Sequence, residues 1–100
     1  DRRELEIREQ SGFMRLTGLP VNDPAVEQYQ LWILDESQSA DTPIDGGVFD
    51  IAQDGEAVVP IRAKLAPQRP LAFAITVEKP GGVVVSSRER LILLAAVNGP

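Results

Sequence analysis

The apolar residues of this sequence come only in short pieces. The longest unbroken run, Leu91 to Val97, is seven residues, and the other runs are shorter. A bilayer-crossing helix needs about 18 consecutive apolar residues, and an amphipathic helix needs its period sustained over 10–12. No helical period here outlasts two turns. What fits is a set of short strands joined by turns, which predicts an all-β, antiparallel fold, either an immunoglobulin-like sandwich or a small barrel.

From Leu5 to Glu9 apolar and charged residues alternate, the mark of a half-buried strand. Ser11-Gly12 ends it, and Phe13 to Thr17 reads as a second strand closed by Gly18-Leu19-Pro20. Asn22-Asp23-Pro24 is a turn signal, with room for a short helical turn at Ala25 to Gln28. Tyr29 to Asp35 is apolar on both alternating sets, so this strand is expected to be covered on both faces.

Glu36 to Pro43 is the longest polar loop. Gly46-Gly47 is expected to open a strand at Val48 to Ala52, and Asp54-Gly55 to turn it into Ala57 to Ile61, since Asp-Gly accepts the positive φ of a tight hairpin. Pro60 has no amide to donate, which makes Ala57 to Ile61 an edge strand or the end of one. Arg62 to Pro70 is a connection. Leu71 to Glu78 alternates most cleanly, Lys79 to Gly82 turns the chain, Val83 to Ser86 returns, and Leu91 to Val97 is the last strand. That makes seven or eight strands in one domain spanning residues 1–100.

The length allows one modest core, stable by about 5–10 kcal/mol. With 15 acidic against 10 basic residues, and the basic ones scattered, nucleic acid is not an expected partner. Cysteine and histidine are both absent. The Ser-His-Asp and Cys-His systems and the usual zinc ligands are thereby excluded.

Weaker constellations have plain structural readings. Ser86 or Ser87 with Lys64 or Lys79 would make a Ser–Lys pair, but Ser is ordinary in turns. Asp35-Glu36 reads as a strand-end acid pair, not as opposed acid and base. Asp50, Asp54 and Glu56 surround Gly55 without the EF-hand spacing. Gly46-Gly47 and Gly81-Gly82 open no helix that would help hold phosphate. Trp32 and Tyr29 could stack a sugar, but they sit in a strand expected to be core. No enzyme activity, cofactor, catalytic residue or metal ligand is assigned.

In order along the chain, Gly18-Leu19-Pro20, Tyr29-Gln30-Leu31-Trp32 running to Asp35, Gly47-Val48-Phe49, Asp54-Gly55 and Ala74-Ile75-Thr76-Val77-Glu78-Lys79-Pro80-Gly81-Gly82 resemble the C-terminal, extracytoplasmic domain of the anti-sigma-K factor (RskA-like) family. The resemblance implies a regulatory domain on the far side of a membrane from its sigma factor. The parent protein would hold that factor through a cytoplasmic domain, be tethered by one transmembrane helix, and in some members release the factor by stepwise proteolysis. An extracytoplasmic protein or protease is the expected partner, docking on exposed loops such as Glu36 to Asp45; of equal standing is a domain that binds no ligand and only shields a juxtamembrane cleavage site. An adhesion or carbohydrate-binding module is the alternative.

Overall fold

The computed structural model describes residues 6–10, 12–39, 41–52, 56–87 and 89–96. Among them lie β1 (Glu6–Gln10), β2 (Phe13–Thr17), β3 (Gln28–Asp35), β4 (Ile44–Phe49), β5 (Glu56–Pro60), β6 (Pro70–Glu78) and β7 (Leu91–Ala96). They form two sheets, ordered β1-β2-β5 and β4-β3-β6-β7, with every neighbouring pair antiparallel. The all-β, antiparallel expectation holds. The sheets do not pair into a closed barrel among the described residues, so the barrel alternative is set aside.

Both sheets contribute to one core. In β2 the period of two turns Met14 and Leu16 inward and leaves Phe13 and Arg15 exposed. Across the ladder Met14 pairs with Val59, which is also buried. The four-stranded sheet answers with Tyr29, Leu31 and Ile33 of β3, paired with Val77, Ile75 and Phe73 of β6. Ile44 and Phe49 of β4 join them, and Phe49 stacks on Tyr29 with ring centroids 5.5 Å apart. Each fully buried side chain of this size contributes about 1.5–3 kcal/mol through removal from water.

One crossing ties the sheets along an edge. After β5 the Ile61 amide donates to the carbonyl of Gly12 at 2.8 Å, while the Arg62 and Lys64 amides donate to the carbonyls of Gly46 and Asp45 at 2.8 Å each. The chain thus leaves the three-stranded sheet and runs beside β4. Tyr29 ties the segment after β2 to β3 by donating its hydroxyl to the Pro20 carbonyl at 2.6 Å.

Four local expectations are corrected. The strand expected at Val48 to Ala52 is Ile44–Phe49, with Gly46-Gly47 inside it. Its register with β3 shifts between Gln30 and Trp32, so β4 carries a bulge whose extra residue is accommodated by Gly47 at φ +100°. A Cβ on Gly46 would lie 2.6 Å from Leu31 Cδ2. The strands flanking Asp54-Gly55 are not a hairpin, because β4 pairs with β3 and β5 with β2; Asp54 and Gly55 themselves lie outside the described residues.

The turn before β3 is centred on Pro24–Val26 and held by the Val26 and Glu27 amides on the Asp23 carbonyl. Gln28 already belongs to the strand. Finally, Val83 to Ser86 is not a strand; its backbone is held by side chains, as described next.

Candidate functional site

On β3 the residues between the core positions face the other way, and none is left open to water in the usual manner of a two-sheet protein. Gln30 is 1% and Trp32 2% exposed. The Trp32 indole donates to Thr76 Oγ1 at 2.9 Å, so the one polar atom of the tryptophan is satisfied within the sheet. The coverage of this strand on both faces is as the apolar pattern predicts.

What covers this outer face is loop. Residues 79–87 form a strap across it, turned by Gly81 and Gly82 at φ +87° and +79°. Gln30 holds the strap through both backbone groups of one residue: its Nε2 donates to the Val83 carbonyl at 3.0 Å, and the Val83 amide donates to its Oε1 at 2.9 Å. The carboxamide imitates a neighbouring strand. Gln28 Oε1 accepts from the Gly81 amide at 2.8 Å, and Ser86 donates to Glu78 Oε2 at 2.6 Å. The approach is close enough that a Cβ on Gly82 would lie 2.6 Å from Val48 Cγ1.

The opposite wall is the loop between β3 and β4, and Asp35 anchors it. Its carboxylate accepts from the Ser37 amide and hydroxyl, from the Gln68 amide at 3.1 Å and from the Arg69 amide at 2.8 Å. Burial pushes the Asp35 carboxyl toward a higher pKa, and the combined hydrogen bonds outweigh it and hold the group below its ordinary value. An Arg69–Glu36 ion pair at 3.2 Å crosses between the same two segments.

Between strap and loop a groove of about 320 Å³ remains. Its floor is Trp32, Leu34, Ala74 and Thr76 on β3 and β6, where Trp32 and Ala74 are register partners. Thr42 and Pro43 line it on the loop side, Val84 and Val85 on the strap side, with Leu65 and Leu91 adding apolar surface. Gln38, Asp41 and Ser86 add to Thr42 and Thr76 as its polar members. The volume lies in the range of small-molecule sites, and mostly apolar lining with few polar groups is their usual composition. A second depression of about 370 Å³, beside Pro20, Glu27 and Arg90, is more open. Arg90 there is engaged with Glu27 at 2.8 Å, and that hydrogen bond raises its pKa.

Of the loop Glu36 to Asp45 expected to bind partners, the groove takes Gln38 and Asp41 to Pro43. Ile44 and Asp45 are strand residues. Trp32 and Tyr29 lie on opposite faces of β3 and both are buried, so they form no sugar platform. Ser86 directs its hydroxyl to Glu78, and Ser87 Oγ accepts from the Glu89 amide at 3.4 Å. Asp50 accepts from Asn22 and Gln28 at 2.8 and 3.1 Å. No group of three or more acidic residues among those described could hold a metal ion. The Gly47, Gly81 and Gly82 amides are occupied by Asp45, Gln28 and the Lys79 carbonyl. Sequence reading missed Gln30 as the strap's anchor; a glutamine inside an otherwise apolar strand was the available signal.

No helix of the described residues is long and apolar enough to cross a membrane. No curated protein and no solved structure matches the chain. The sequence model of one family, anti-sigma-K factor rskA, C-terminal, matches residues 7–89. That span takes in both sheets up to β6, the loop anchored by Asp35 and the strap anchored by Gln30. On this match the chain belongs to the RskA C-terminal family of anti-sigma factor domains.

Proposed function

We propose that residues 1–100 are one extracytoplasmic regulatory domain of a membrane-anchored anti-sigma factor, built as a sandwich of the two sheets. The parent protein holds its sigma factor through a cytoplasmic part, and this domain governs when the factor is released. The family match over residues 7–89 carries the reading. The groove supports a receiving role over that of a plain shield, because a shield needs a closed outer face and this sheet leaves an apolar cavity there. The adhesion-module alternative loses its best support because Tyr29 packs in the core while Trp32 lies on the other face of β3, so the two rings make no common platform.

The test is made in the full-length protein. A phosphatase fused after residue 100 is expected to be active, as it is only outside the cytoplasm, and deletion of the domain is expected to change transcription from a sigma-dependent reporter. An inactive phosphatase with an active cytoplasmic reporter at the same position overturns the assignment, as does unchanged transcription in the deletion strain under every condition that switches the intact protein.

A further inference from the structure

The groove over Trp32 has features that select what enters it. Its floor carries one polar side chain: the Thr76 hydroxyl oxygen accepts from the Trp32 indole at 2.9 Å, and no buried side-chain polar atom among the described residues lacks a partner. A ligand body therefore gains by being apolar over all of the floor but the Thr76 hydroxyl. An apolar cavity of about 150 Å³ holds one benzene, so the volume of about 320 Å³ suits an aromatic body of roughly two rings or a medium alkyl chain.

The mouth selects charge. Among the described lining residues Asp41 is the one ionisable side chain, and the chain as a whole carries −5. An anionic head group would face that carboxylate in an already negative field. Around the same mouth Val84 is 90%, Val85 67% and Leu65 55% exposed. A cluster of open apolar side chains beside a concave floor marks an interaction site.

We propose that this groove binds a small, uncharged or cationic apolar molecule, its hydrocarbon body on Trp32 between the strap and the β3–β4 loop and its polar end at Asp41. The proposal names the ligand class of the domain described above and rests on that reading only for the regulatory consequence. Binding itself is a property of this chain.

The chain has one tryptophan, so the Trp32 emission reports directly on the groove. Titration with N-phenyl-1-naphthylamine, a neutral probe that takes up tryptophan emission, is expected to saturate at one probe per chain. Ala74→Phe fills the floor and is expected to weaken binding by at least about tenfold. Ala74 is buried and its enlargement also strains the fold, so a second variant is used: Val84→Ser with Val85→Ser alters only exposed positions and is expected to weaken binding several-fold with an unchanged far-ultraviolet circular dichroism spectrum.

Displacement by decanol and by decylammonium is expected at concentrations about fivefold lower than by decanoate. Non-saturable uptake, or a double variant that binds as the parent does, overturns the site. Equal displacement by decanoate overturns the charge selection. A chain that binds the probe while its deletion leaves the sigma-dependent reporter unchanged retains this site and loses the regulatory role, so the two failures are distinct.

Discussion

The two faces of β3 are closed by different means. Inward, Tyr29, Leu31 and Ile33 meet side chains of their own kind from both sheets, and the result is continuous packing. Outward, Gln30, Trp32 and Leu34 are covered by segments without strand structure, held in place by hydrogen bonds to the side chains of Gln28, Gln30, Asp35 and Glu78. The first kind of closure is dense and leaves nothing to bind. The second is a set of discrete tethers, and a groove lies between the tethered pieces. Local opening costs least where buried apolar contacts are few and backbone hydrogen bonds are isolated, which places adaptable structure on the outer face.

If that contrast is correct, the largest loss of stability comes from the inner face. Leu31 is fully buried between register partner Ile75 and the bulge at Gly46, so Leu31→Ala leaves a cavity that neither sheet can fill. The expected cost is about 3–5 kcal/mol, measured by urea unfolding. A cost below about 1 kcal/mol would mean that the inner core is loosely packed and that the two faces are alike.

The next effect dissects the strap. Gly81 and Gly82 both adopt positive φ, but a Cβ on Gly81 meets nothing within 4 Å, whereas one on Gly82 meets Val48 Cγ1 at 2.6 Å and Gln30 Oε1 at 2.7 Å. Gly81→Ala is expected to cost about 1 kcal/mol for backbone strain alone. Gly82→Ala adds overpacking, for about 2–4 kcal/mol in total. It should also shift the Trp32 emission, because the displaced strap carries Val84 and Val85, which line the groove with Trp32. Equal costs for the two variants would show that the strap does not sit against Gln30.

These sites also show how far the sequence could be read. The alternation in Leu71 to Glu78 and the two-sided apolar pattern of Tyr29 to Asp35 are local signals, and each gave its strand. Gly46-Gly47 carries the same signal for a turn as for a bulge, and only the register against Leu31 decides between them. Asp54-Gly55 invites a hairpin, yet whether consecutive strands pair or change sheets is settled by the core they share. Val83 to Ser86 has strand-like residues but finds a side-chain amide where a strand partner would be. The candidate site suffers most from this. Its loop side was legible in Glu36 to Pro43, while Val84, Val85 and Leu65 reach the groove only through contacts distant in sequence.

Acid probes the loop side of the outer face. The Asp35 pKa is lowered in the folded chain from 3.8, so its contribution is complete above the unfolded-state value and is lost as pH falls through the folded one. The unfolding midpoint is therefore expected to fall on acidification below about pH 4. Asp35→Asn places an amide donor among the Ser37, Gln68 and Arg69 donors. That variant should be less stable at pH 7 and show a flatter decline in the acid range, read from urea midpoints at successive pH values. A parallel decline in variant and parent would assign the acid sensitivity to other carboxylates.

The smallest expected effect separates covering from binding. Val84 is 90% exposed, so Val84→Ser removes almost no buried surface and should change the urea midpoint by no more than about 0.5 kcal/mol equivalent. On the inner face no apolar residue of the core could be so treated. A stability loss above about 1 kcal/mol would mean that Val84 is packed in solution, with the strap folded down over Trp32 and the groove closed. An unchanged midpoint leaves an apolar side chain held at the mouth of a cavity without contributing to the fold. Such a residue can be spent on contact with something else.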